Sequence, residues 1–197
     1  MNKEMITAQL KKLTVANGIE IDDETLGKAV ELARFMVFPK SKIIRSIGDS
    51  ANTVGIVIDG LVRSYYIDLE GNDISRGFCP EGSMCMDEGA VGYPEYICMW
   101  ETLEESTLML IEVSDLRGLI MASERLKTLW IKLLEDGLRY KMYRENAFLL
   151  ENATERYLSF KKRFPGVCDR APQKYIATCI GIMPESLSRI RRALREE

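Results

Sequence analysis

Histidine is absent from this 197-residue chain. Its absence removes the commonest metal ligand, the usual haem ligand and the usual general base, and it excludes Ser-His and Cys-His nucleophilic machinery. Long apolar runs are also missing. No segment approaches the roughly 20 apolar residues that span a bilayer. Met1 to Lys12 alternates charged and apolar residues where a signal peptide needs a continuous apolar stretch. A cytoplasmic protein with no membrane partner is therefore expected. The chain has no repeats, no low-complexity tracts and no Pro/Ser-rich linker. Its five cysteines, Cys79, Cys85, Cys98, Cys168 and Cys179, are an odd number at irregular spacings without a C-x-x-C pair, which argues against a disulfide framework. No metal and no cofactor are expected. An enzyme would have little beyond scattered carboxylates such as Asp87 and Glu88 to work with.

What remains is ordinary globular material, 46% hydrophobic and 29% charged. The net charge of −3 conceals a division along the chain. Residues 153–197 hold ten Lys/Arg against five Asp/Glu, leaving seventeen against twenty-five in residues 1–152. Charge asymmetry of this kind marks nucleic-acid-binding modules, although a solvated helix surface has the same composition.

Periodicity gives the organisation. From about Phe35 to Glu112 the chain is strand-like: Val54 to Ile58 is broken by Asp59-Gly60, and Leu61 to Ile67 by Glu70-Gly71-Asn72. Short β-branched and aromatic runs between such turns indicate an antiparallel sandwich or barrel. After Ser114 the period becomes helical. Ser123 opens a proline-free helix to about Glu151, in which Leu126, Leu129, Leu133, Tyr140 and Ala147 recur every three or four residues. This face is expected to form a dimer interface. The opposite flank carries Trp130, Leu134, Leu138, Met142 and Phe148, so one face can pack on the strands while another meets a second helix.

Three further helices are expected at Ala153 to Phe164, Gln173 to Ile180 and Pro184 to about Arg195. The last two have the requirements of a helix-turn-helix. Ala177 is small where the second helix crosses, Gly181 breaks the turn, and Ile182, Leu187 and Ile190 form an apolar face. Pro184 is preorganised for the first helical position. The other face presents Glu185, Ser186, Ser188, Arg189 and Arg192, side chains able to read base edges or hold phosphates.

The segment Pro172 to Arg192, with its PQ-x-x-I-A, I-G-I-x-P-E-S-L-S-R-I pattern, resembles the C-terminal helix-turn-helix of the Crp/Fnr superfamily. Val57 to Arg63, followed by Asp68-x-Glu70-Gly71, is similar to that family's cyclic-nucleotide-binding β-roll. The resemblance implies an α+β chain: an N-terminal antiparallel β-roll (double-stranded β-helix) in residues 1–122, a long central dimerisation helix in 123–152 and a helix-turn-helix domain in 153–197. It implies a homodimer that regulates transcription on double-stranded, pseudo-palindromic DNA, with RNA polymerase as a further partner. Glu185 and Arg189 match the principal base-reading positions, and Lys174 and Arg192 the phosphate contacts. Two departures stand out. Met183 replaces the Thr or Ser that caps the recognition helix, and the sequence ends at Glu197, before the β-hairpin wing of many relatives. A sensor or scaffold module that no longer binds DNA is the alternative.

Relatives that bind cyclic AMP use a Gly-Glu pair and, about ten residues on, an Arg-Ser pair. Here Asp87 or Glu88 stands in for the glutamate, but no Lys or Arg lies between Arg76 and Arg117. A buried phosphate without a cation is costly, so cyclic AMP is not expected as effector unless Arg63 or Arg76 folds in from the hairpin. Met84, Met86, Asp87, Tyr96 and Met99 form either an apolar effector pocket or a core that has filled in. Cys85 and Cys98 have no evident cationic neighbour to activate them, and the four-cysteine iron–sulfur pattern of the family's oxygen sensors is missing.

Overall fold

The computed structural model describes residues 3–196; the expected segment ends at residues 1, 2 and 197 lie outside them. Helices α1 (Lys3–Ala16) and α2 (Asp23–Leu32) lead into strands β1 (Arg34–Phe38), β2 (Ile43–Arg45), β3 (Thr53–Asp59), β4 (Val62–Ile67), β5 (Asp73–Cys79), β6 (Met84–Cys85), β7 (Met99–Thr102) and β8 (Ser106–Glu112). These form two antiparallel four-stranded sheets, ordered β1-β8-β3-β6 and β2-β7-β4-β5. The neighbours are mostly distant in sequence, as expected of a chain that winds between two sheets in a roll. Alternation of side chains along β3 and β8 feeds two cores. Val57 and Leu108 join Val62, Tyr96 and Trp100 between the sheets, while Ile58 and Met109 point outward beneath α1 and α2. The β3–β4 turn requires glycine at position 60. Its φ is 100°, and a Cβ there would lie 2.3 Å from the Ser106 hydroxyl.

The helical half begins with α3 (Val113–Ala122) and α4 (Glu124–Leu150). Ser123 separates them and caps α4, its hydroxyl accepting from the Leu126 amide. With 27 residues, α4 is about 40 Å long. Then α5 (Ala153–Arg163) starts in a capping box, in which Asn152 accepts from the Thr154 and Glu155 amides while the Glu155 carboxylate accepts from the Asn152 amide. The short α6 (Val167–Arg170), α7 (Gln173–Cys179) and α8 (Pro184–Glu196) complete the described chain.

The face of α4 expected to meet a second subunit is instead turned toward its own chain. Leu126 and Leu129 pack on the Ile58–Met109 cluster, and Leu133 lines a half-open pocket between the same helices and sheet. Tyr140 meets Phe164 edge-on at 5.8 Å, and Ala147 is buried. Both flanks of the helix are apolar in sequence, and one of them is taken up by contacts within the chain. A different stripe stays open to solvent: Ile131, Leu134, Leu138, Met142 and Leu149, each 40–76% exposed.

Candidate nucleic-acid interface

The C-terminal helices share a core that begins inside the β-roll. Leu61 of the β3–β4 turn, Phe78 of β5 and Leu103 just after β7 pack with Tyr157, Phe160, Ile176, Ala177 and Leu187. Ala177 is fully buried where α7 and α8 approach, as its small size requires. Gly181 makes the turn with φ 67°, and an added Cβ would strike the Phe148 ring at 2.7 Å. The turn is closed by the Ile182 amide donating to the Ala177 carbonyl, and by the Gln173 side-chain amide donating to the Pro184 carbonyl at 3.1 Å. Ile190 and Leu194 continue the apolar face of α8.

The outward face of α8 is free. Glu185, Ser188, Arg189 and Arg192 recur at i, i+3, i+4 and i+7 and are exposed; Ser186 is half-buried and accepts from Arg189 at 3.3 Å. Lys174, exposed on the first turn of α7, lies 4.7 Å from the Tyr175 ring centre. Gln173, Ser188, Arg191, Arg192 and Arg195 line a groove beside this face. Arg191 and Arg195 escaped the sequence reading because they lie toward the edge of the helix. Their signal was the arginine spacing itself, 191, 192 and 195, which gives α8 a basic side as well as a reading face.

Arg63 holds this unit against the roll. The side chain is 1% exposed, with Nε donating to Glu101 at 2.9 Å, Nη2 to Asp73 at 2.9 Å and Nη1 to the Ser75 hydroxyl at 3.1 Å. Its guanidinium lies between two rings, 3.4 Å from the centre of Tyr175 on α7 and 4.2 Å from that of Tyr65 on β4. Planarity lets one arginine pair and stack at once. Nearby, Thr178 of α7 exchanges hydrogen bonds with Ser75 of β5. Arg170 bridges Glu81 and Glu104 at the far edge of the seam. The Arg170 contact draws the Glu81 carboxyl below its ordinary value. Its stabilisation is thus present above the unfolded carboxyl's pKa and is lost as pH falls through the lowered one.

Inside the roll, the expected effector residues lie in different surroundings. Met86 and Tyr96 are core residues, with the Tyr96 hydroxyl donating to the Thr53 carbonyl at 2.6 Å. The Met99 sulfur accepts from the Ile47 amide, and Met84 faces the helices outside the sheet. The segment holding Asp87 and Glu88 has no cation of its own, but Arg76 of β5 folds in to meet it. Arg76 lies 3.2 Å from Glu88 and 3.8 Å from Asp87. Glu88, 2% exposed, also accepts from the Cys98 thiol and the Trp100 indole. Cys98 therefore has a cationic neighbour after all, yet its thiol is not activated. Burial, with the Glu88 hydrogen bond and charge, pushes it up to about 12. Burial likewise lifts Cys79 to about 12 and Cys179 to about 11, and raises Cys85 and Cys168. All five cysteines are unpaired thiols held in their neutral form at physiological pH.

No protein-family model and no curated relative matches the chain. Solved structures do. FixK2 from Bradyrhizobium japonicum superposes with a TM-score of 0.73 at 20% identity, covering 83% of this chain and 85% of its own. The c-di-GMP-responsive global regulator CLP from Xanthomonas campestris gives 0.69 at 15% identity, covering 89% and 92%. A Crp/Fnr-family regulator from Eubacterium rectale gives 0.66 at 16%, covering 89% and 84%. With its roll of two antiparallel sheets, its long central helix and its C-terminal helix-turn-helix, the chain has the fold of the Crp/Fnr-type regulators.

Proposed function

We propose that the chain is a dimeric, sequence-specific DNA-binding transcription regulator that is not controlled by cyclic AMP. The observation that carries this reading is the exposed outer face of α8, with Glu185, Ser188, Arg189 and Arg192 held outward by the buried Leu187. Arginine suits guanine in the major groove and glutamate suits cytosine; Lys174 and Arg192 are placed for phosphates. An exposed basic reading face favours this function over a scaffold that has lost DNA. Dimerisation is carried by the solvent-facing stripe of α4. Ile131, Leu134, Leu138, Met142 and Leu149 follow one another at helical spacing, and two such stripes form a two-fold seam. Such a regulator works in the cytoplasm and meets RNA polymerase at promoters. No helix among the described residues is long and apolar enough to cross a membrane.

Readout tests the proposal. Arg189→Ala is expected to cost about 1–3 kcal/mol on the preferred operator and to relax selectivity at one base pair in each half-site. Lys174→Ala should weaken binding to all sequences alike and flatten the salt dependence. Equal losses on operator and random DNA for Arg189→Ala would refute its role.

The effector proposal rests on charge. Arg76, the cation paired with Asp87 and Glu88, is already engaged by both, and Arg117 beside them is held by the Gly89 carbonyl. A cyclic phosphate entering there would have to displace a carboxylate from Arg76. Millimolar cyclic AMP should leave the melting temperature unchanged, whereas a bound ligand at 100 times its dissociation constant adds about 2.7 kcal/mol. A clear rise abolished by Arg76→Ala would restore cyclic AMP as the effector.

A further inference from the structure

Outside the roll, between the outer face of the β1-β8-β3-β6 sheet and helices α1 to α4, lies a cavity of about 170 Å³. Ile56 and Met84 form its floor, Leu119 one side, and Leu129, Trp130 and Leu133 the wall contributed by α4. Thr14 and Asn17 are the polar residues that reach it, and both are engaged. The Thr14 hydroxyl donates to the Lys11 carbonyl, and the Asn17 carbonyl accepts from the Lys132 ammonium. Among the described residues, no Asp, Glu, Lys or Arg lines it.

Protein interiors are close-packed, with few voids larger than a water molecule. Water entering this half-open pocket meets few polar partners on its described walls, whereas an apolar molecule gains by leaving solvent for them; an engineered cavity of about 150 Å³ lined by Leu, Ile and Phe binds benzene. We infer that this cavity is a binding site for a small uncharged apolar molecule, of the size of a single six-membered ring or a short hydrocarbon chain. The inference concerns the site alone and stands whether or not the chain binds DNA. Its described walls explain the selectivity: an anion finds no cation among them and a polar molecule few partners, so shape and apolar contact select the ligand.

Benzene is the probe, with benzoate as its charged counterpart, and the melting temperature of the full chain is the readout. Near-saturating benzene is expected to raise the midpoint by about 2–4 °C, the shift that follows from about 1 kcal/mol in a chain of this size; benzoate should leave it unchanged. Ala29→Leu fills the cavity from α2 and should remove most of the benzene shift. Leu129→Ala enlarges it and serves if the first variant does not fold; it should melt lower alone, yet respond more strongly than wild type to naphthalene. No shift with benzene, an equal shift with benzoate, an undiminished shift in folded Ala29→Leu, or a naphthalene response unchanged by Leu129→Ala would overturn the site.

Discussion

Replacing Arg63 by methionine is expected to destabilise the protein by about 3–5 kcal/mol, because breaking a buried ion pair leaves an uncompensated charge. The charges left behind are Glu101, 13% exposed, and Asp73, about a third exposed, so most of the loss comes from Glu101. At about 2–4 °C per kcal/mol, the melting temperature should fall by about 10 °C. Arg63→Lys should rescue only part of this. An ammonium keeps the charge but cannot reach Glu101, Asp73 and Ser75 in one plane while stacked between Tyr65 and Tyr175. Tyr175→Ala removes the stack and spares the ion pairs, so its cost should be smaller and should fall on the docking of α7. A methionine variant melting within 2 °C of wild type would show that the seam does not depend on this arginine.

Leu138→Arg is expected to convert the dimer to a monomer. Leu138 is 60% exposed at the middle of the open α4 stripe, so the substitution leaves the monomer's own packing intact and places two like charges in the seam. Monomers lose the second half-site, and operator affinity should fall by about 10²–10⁴-fold, the usual gain of linked binding. Leu133→Arg makes the contrast. Leu133 faces the cavity under the helix, so a charge there should lower the melting temperature and leave the dimer in place. Sedimentation of the two variants separates the faces: a dimeric Leu138→Arg with unchanged DNA binding would remove the stripe from the interface.

Local chemistry made much of this fold legible. The Asp59-Gly60 turn, the strand run from Val54 to Ile58, the helix start at Ser123 and the Gly181 break each act within a few residues, and all stand where the sequence placed them. The outward face of α8 was legible for the same reason, since one helical period separates Leu187 and Ile190 from Glu185, Arg189 and Arg192. Long-range partners were not. Which apolar flank of α4 the roll covers depends on the outer surface of β3 and β8, and no local spacing encodes it. Arg76 lies on β5, apart from the stretch that holds Asp87 and Glu88, and reaches Glu88 only in the folded chain. Arg63 reads as one polar residue in an apolar strand. Its partners at Asp73, Glu101 and Tyr175 lie on β5, β7 and α7 and converge only in the folded chain. The helices α1, α2, α3 and α6 are short or weakly patterned, and tertiary packing decides them.

The central claim, that two copies of α8 read DNA together, is tested most directly by selecting random-sequence fragments on the purified protein and sequencing those retained. The expected result is an enriched inverted repeat with half-sites about one helical turn apart. Arg189→Ala should blur one position in each half. Retained fragments that match the starting pool, or that share a single undivided half-site, would contradict a two-fold DNA-reading dimer.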